Sequence, residues 1–335
     1  MGSLLRLINP EKANFTEVNL ERQDGKVVVI TGGYSGVGLE LAKILLDKGA
    51  RVYVVSRSQE KGEAMMKEFG KDTLTFIRMD LADLNSIYDC AQKIIELEEK
   101  VDVLYNMAGV GFAEGKTVQG YEPHIGINCL GHYFFTQQLL PLLRKSTTTT
   151  EKGTTRVIWA GAYYAKSRPK FEKGAILDFV RNSDKGANME EFGLYKYAIS
   201  KVVNWYMSLE LARREECFRK NDAISLTTNV GPLKTNIWKA APWYVRFLFY
   251  PTLRAPKQGA YTALFAGFDN QVAHQAGKPN DRGEYRYVVP WGHWCSFTPS
   301  QYYLDAINSG EAKQVCDWFE ERIEQFLASK GESKV

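Results

Sequence analysis

A chain of 335 residues, 44% hydrophobic, is long and apolar enough for one large domain or two small ones. Its net charge of +4 comes with no Lys/Arg block, which argues against a nucleic-acid partner. Five cysteines without C-x-x-C spacing point to free thiols in a reducing, cytoplasmic setting, four scattered histidines suggest no metal, and no apolar run is long enough to span a membrane.

Residues 1–24 are polar and mixed and read as an extended arm. The N-terminal residues are too soon interrupted for a signal peptide, and Arg6 breaks a myristoylation pattern at Gly2. Residues 26–30, Lys-Val-Val-Val-Ile, form a β-branched run suited to a strand buried on both faces. A glycine-rich turn, Thr31-Gly32-Gly33-Tyr34-Ser35-Gly36-Val37-Gly38, follows at once. Apolar residues then recur at helical spacing over 39–46, and a second strand spans 51–55.

The alternation continues. Strands are expected at 73–77, 102–106, 156–160 and 223–228. Helices are expected at 86–97, 127–144, 192–216 and 260–267, with a charged terminal helix at 312–329. This pattern predicts an α/β, doubly wound, mostly parallel sheet with helices on both faces. Right-handed crossovers place a ligand crevice at the carboxyl ends of the strands.

The glycine turn carries the first chemical signal. Glycines let backbone N–H groups approach a pyrophosphate, and the following helix points its positive end at the same anion. The spacing is G-x-x-x-G-x-G, and its strand–turn–helix setting supports nucleotide binding. At the end of the second strand stand Ser56-Arg57-Ser58, with no acid to hold a ribose 2′-hydroxyl. Arg57 can instead hold a 2′-phosphate through charge-assisted bonds, which favours NADPH over NADH.

The second signal is Tyr197 and Lys201, which a helix brings to one face about a turn apart. A nearby ammonium favours the phenolate, so such a tyrosine can exchange a proton with an alcohol or carbonyl oxygen.

In this order the motifs resemble the short-chain dehydrogenase/reductase family, from residue 24 to residue 240. Thr31-Gly32 and Gly36-Val37-Gly38 resemble its cofactor loop. Asp80-Leu81 resembles its adenine contact. Asn106-Met107-Ala108-Gly109 resembles its N-N-A-G element with one substitution. Asn128 resembles the asparagine that holds the lysine through a water, and Tyr197 and Lys201 resemble the catalytic pair.

The resemblance implies a single Rossmann-type domain over residues 25–335, with a seven-stranded sheet. It implies cofactor contacts from Gly32, Tyr34, Ser35, Gly36, Val37, Gly38, Arg57, Asp80, Leu81, Asn106, Ala108, Gly109, Tyr197, Lys201, Leu233 and Thr235. Phe15-Thr16-Glu17, Arg156-Val157-Ile158-Trp159 and Pro290-Trp291-Gly292 look like its fungal, retinol-dehydrogenase-like branch.

Three positions depart from the family pattern. Ala162 stands where the family has a serine that orients the substrate oxygen, and Tyr163, Tyr164 and Ser167 are nearby hydroxyls. Met107 replaces an asparagine, and the proline of Asn229-Val230-Gly231-Pro232 is displaced. All three fall at the reacting end of the expected site. A substrate-loop region over 233–258 is dense in Trp, Tyr and Phe, which suits a bulky apolar substrate, a membrane-surface contact or plain core. Residues 268–335 are expected to close the pocket and shield the sheet.

The resulting expectation is an NADPH-dependent oxidoreductase acting on a carbonyl or secondary alcohol, a ketoreductase of fungal secondary metabolite biosynthesis. Tyr197, Lys201 and Asn128 would be catalytic, and the protein a monomer or homodimer. One alternative keeps the fold and loses the redox step, giving an isomerase, cyclase or lyase with Tyr197 as acid. Another is a non-catalytic NADP-binding protein.

Overall fold

The sheet grows outward from β1 (Val27–Thr31), in which every residue is buried. The computed structural model describes residues 11–70, 73–162, 174–185, 193–241, 243, 246–247, 250–275, 287–295, 305 and 308–331. After β1 come α1 (Gly36–Asp47), β2 (Arg51–Ser56), α2 (Gln59–Phe69), β3 (Leu74–Arg78), α3 (Leu84–Leu97) and β4 (Val103–Asn106). A π-helical turn, Gly126–Leu130, leads into α4 (Gly131–Thr147). Then follow β5 (Thr155–Gly161), α5 (Ala175–Arg181), α6 (Gly193–Arg214), β6 (Ala223–Asn229), α7 (Pro256–Phe268), β7 (Val288–Val289), β8 (His293–Trp294) and α8 (Glu311–Ser329).

The strand order is β3-β2-β1-β4-β5-β6-β7-β8, parallel throughout except that β8 runs antiparallel to β7. The order reverses between β1 and β4, and a switch point of this kind opens a crevice beyond the strands' carboxyl ends. One core lies between the sheet and α3, α4 and α6; the other lies between the sheet and α1 and α7.

The sheet has eight strands where seven were expected. The additional edge ladder is two residues per strand, too short to show a period of two in sequence. Helices α2 and α5 also escaped prediction. Helix α2 is mostly polar, burying only Gly62 and Met65, and α5 has seven residues.

Residues 11–24 do not trail as an extended arm. Phe15 meets Phe265 edge-on, Glu17 pairs with Lys257 at 2.7 Å, and Leu20 is buried. The His293 imidazole sits between the Lys12 carbonyl and the Asn14 amide at 3.0 and 3.2 Å. At the other terminus α8 lies over α4 and α6. Phe319 meets Tyr133, and Arg214 pairs with Asp317 and Glu320. No described residue beyond Leu253 lines the crevice, so α8 shields the helical layer and does not close the pocket.

Arg156 on β5 is buried without a carboxylate partner among the described residues. Its guanidinium donates to the carbonyls of Gly153, Ala266 and Asp269, the last two at the C-terminal end of α7. That end carries partial negative charge, so the arginine pins α7 to the sheet.

Candidate active site

At the switch point the strand ends surround a cavity of about 990 Å³. That volume is at the upper end of the range for ligand pockets. The glycine turn forms one wall. Gly32 and Gly36 have φ of +75° and +56°, which a side chain disfavours. A Cβ on Gly38 would lie 2.7 Å from the Gly32 carbonyl oxygen, so only glycine lets α1 start so close to the loop. Helix α1 has no acidic residue in its first turn, which leaves its positive end for an anion. Gly32, Tyr34, Ser35, Gly36, Val37 and Gly38 all line the cavity.

Arg57, at the end of β2, and Asp80 and Leu81, after β3, line the same half. The Asp80 carboxylate accepts from the Ala82 amide at 2.9 Å, which fixes its turn. Lys61 lies 5.3 Å from the centre of the Tyr34 ring and adds a second cation near Arg57. It escaped notice because it belongs to the unpredicted α2.

The loop after β4 is held from behind. Thr31 Oγ1 accepts from the Met107 and Ala108 amides at 2.8 and 3.0 Å. It also lies 2.9 Å from His132 Nε2, whose Nδ1 meets the Asn128 carbonyl at 3.2 Å. Burial pushes His132 down to about 3, so the ring is neutral and can accept the Thr31 proton. Ala108 and Gly109 line the cavity, but Asn106 does not. Its amide donates to Thr136 at 2.9 Å, inside the core, so it braces β4 against α4.

Asn128 also stands behind the wall. Its Oδ1 accepts from the Val110 amide at 2.8 Å, and its Nδ2 donates to the Val110 carbonyl and to Ser200 at 3.0 and 2.9 Å. It makes no direct bond to Lys201. Both side chains approach Gly109, at 3.0 and 3.6 Å from where a Cβ would be.

Helix α6 brings Tyr197 and Lys201 to the cavity together. The ammonium lies 5.5 Å from the centre of the Tyr197 ring and donates to the Ala160 carbonyl at 2.8 Å. Lys201 is 3% exposed, and burial pushes its pKa down to about 8. Ala162 lines the cavity next to this pair and offers no hydroxyl. Tyr163, Tyr164 and Ser167 lie outside the described residues.

Leu233 and Thr235 line the cavity as well. Thr235 reaches the glycine turn, with its methyl 3.2 Å from where a Gly36 Cβ would be. Of the aromatic stretch that follows, Trp238 lines the cavity and is held by a bond to the Leu233 carbonyl at 3.0 Å. Trp243 and Phe247 are 77% and 80% exposed and do not line it. Phe112, Leu194 and Ile237 supply further apolar lining.

A dinucleotide fits this arrangement at one end, where backbone, helix terminus and Arg57 meet. A tyrosine with an adjacent ammonium stands at the other. The described residues contain no cluster able to hold a metal ion, and no described helix is long and apolar enough to cross a membrane.

Comparison with known proteins agrees. Residues 26–163 match the family model described as short chain dehydrogenase. A protein of Phomopsis amygdali named short-chain dehydrogenase/reductase is 32% identical, with 95% of each chain covered. Another, short-chain dehydrogenase/reductase iacJ of Pestalotiopsis fici, is 34% identical over 93% of this chain and 94% of its own. Among solved structures, the RhlG/NADP active-site complex of Pseudomonas aeruginosa superposes with a TM-score of 0.60. It is 22% identical and covers 81% of this chain and 96% of its own.

Proposed function

The chain belongs to the short-chain dehydrogenase/reductase family, and from that premise we propose that it is an NADPH-dependent reductase of a bulky, mostly apolar carbonyl compound. The observation that carries this is one cavity with an anion-binding glycine turn at one end and the Tyr197–Lys201 pair at the other. The nicotinamide cofactor, when bound, supplies the hydride.

The chain's own residues do the rest. The turn at Gly32–Gly38 and the start of α1 receive the pyrophosphate. Arg57 meets a 2′-phosphate, and Asp80 and Leu81 border the adenine. Tyr197 gives its proton to the substrate oxygen, and Lys201 stabilises the phenolate left behind. Asn128 acts from behind by fixing the Val110 backbone and the Ser200 hydroxyl. Phe112, Leu194, Ile237 and Trp238 give the substrate end its apolar character. The similar proteins of Phomopsis amygdali and Pestalotiopsis fici are fungal, which supports a role in fungal specialised metabolism.

The test is NADPH consumption with a panel of bulky ketones, comparing the natural protein with Ala162→Ser. Turnover by the natural protein supports the reductase reading. Turnover only after serine is restored would overturn it. Ala162 itself favours a second reading, in which Tyr197 works as an acid without redox change. Substrate conversion with constant nicotinamide absorbance would mark that case. The exposed Trp243 and Phe247, with the exposed Arg246 between them, suit contact with an anionic membrane surface.

A further inference from the structure

Trp238 and Thr252 both line the cavity, and among the described residues none between them does. The chain thus leaves the cavity wall and returns to it, and the two ends of this excursion are tied together. The Lys234 amide donates to the Arg254 carbonyl and the Arg254 amide to the Pro232 carbonyl, both at 2.9 Å. Asn236 and Thr252, near this neck, line the cavity and are also exposed, so the cavity opens outward beside the loop. Whatever the loop touches lies next to the mouth.

The loop presents apolar rings to the outside. Trp243, Phe247 and Tyr250, at 77%, 80% and 56%, are the strongly exposed aromatic side chains among the described residues, and all three lie here. Exposed apolar groups gathered in one place mark a face that meets an apolar partner. The charge around them has one sign. No Asp or Glu occurs from residue 223 to residue 268, whereas Lys234, Lys239, Arg246, Arg254 and Lys257 do. Glu17 pairs with Lys257, but Lys234, Arg246 and Arg254 are exposed. The Lys234 ammonium lies 5.0 Å from the centre of the Tyr250 ring, which keeps a cation beside the apolar group. The cavity-lining Ala113 is followed by Glu114 and Lys116, whose charges offset, so that segment does not cancel the excess.

Rings interleaved with cations and no acid suit a bilayer surface. The rings enter the boundary between headgroups and acyl chains, and the cations meet anionic lipids. A second copy of the chain fits worse, because a two-fold contact through this face sets the same cations against one another.

We propose that the face carrying Trp243, Arg246, Phe247 and Tyr250 seats on an anionic lipid bilayer, and that the apolar substrate enters the cavity from the lipid through the mouth beside it. The docking stands on the face itself, and the route rests on the reductase reading above.

The experiment is flotation of the protein with phosphatidylcholine vesicles, with and without phosphatidylserine. The natural protein is expected to float with the phosphatidylserine vesicles and to be released by high salt. Trp243→Ser combined with Phe247→Ser is expected to weaken binding by about tenfold or more, and Arg246→Glu by about fivefold or more. None of these side chains lines the cavity, so melting temperature and NADP⁺ affinity should be unchanged. A natural protein that does not float, or variants that float equally well, would overturn the docking. So would a dimer in solution that the Trp243→Ser and Phe247→Ser pair disrupts, since a second copy would then be the occupant. For the route, a ketone that the natural protein reduces is supplied either in water or in the vesicles. The Trp243→Ser and Phe247→Ser pair is expected to lose about tenfold in kcat/KM on the vesicle-borne ketone alone. Full activity of that variant on the vesicle-borne ketone would overturn the route. If no ketone is reduced, the reductase reading fails by itself, and flotation still decides the docking.

Discussion

At the scale of single residues, the pair on α6 makes the sharpest demands. Tyr197→Phe removes the proton and little else, so kcat should fall by about 10²–10⁴ while dinucleotide affinity is unchanged. Lys201 gives a pH signature. Burial lowers its pKa to about 8 from 10.5, so the charge that supports Tyr197 is lost as pH rises through about 8. In the free enzyme kcat/KM should therefore decline above that point, and Lys201→Met should lack this limb. The linkage to stability runs the other way. Between about 8 and 10.5 the unfolded chain holds a proton that the folded one has released, so burial of the lysine costs less as pH rises. The stability advantage of Lys201→Met should shrink across that window, as urea titrations at several pH values would show. The pair was legible in sequence because helical spacing alone brings four-apart residues together. The bond between Thr31 and His132 was not, since only packing of α4 on the sheet brings residues so far apart in sequence together.

Elements explain why the glycine turn works and where sequence reading stopped short. Gly38→Ala would press a methyl against the Gly32 carbonyl at 2.7 Å and the Gly33 Cα at 2.9 Å. The turn must open, so dinucleotide affinity should weaken by about tenfold or more, roughly 1.4 kcal/mol. Melting should change little, which calorimetric titration beside a thermal melt would establish. The strands β1, β2 and β5 were evident because their runs of Val, Ile and Trp are buried on both faces. Helix α2 was hidden because it is mainly solvent-facing, and with it Lys61. Asn106, read in the sequence as a cofactor contact, and Asn128, read as catalytic, both stand behind the cavity wall. A motif records that a residue is needed at a strand end or helix, not whether its amide faces a ligand or fastens a loop from behind.

For the whole molecule, the alternation of strands and helices was enough to predict the doubly wound sheet and its crevice. The placement of the C-terminal region was not legible, because an amphipathic helix announces a buried face without saying which surface it covers. Helix α8 buries Val315, Cys316, Phe319, Ile323 and Leu327 against the α4–α6 layer, away from the cavity. Phe319→Ala should therefore cost about 3–5 kcal/mol in chemical unfolding. Turnover and cofactor affinity at temperatures well below the melt should remain as in the natural protein.

The clasp of His293 by Lys12 and Asn14 also governs how copies of the chain treat one another. An open strand edge is a template on which a second chain can add its own strand and polymerise. Here the last strand is two residues long, and its histidine is already engaged by the N-terminal residues. A foreign strand finds too short a ladder to lock onto. Copies that associate are steered to do so through helical faces, and the remaining edge, β3, ends in an exposed arginine, Arg78, of the kind that discourages strand addition. The few residues before the first strand thus guard the solubility of a sheet to which they add no strand.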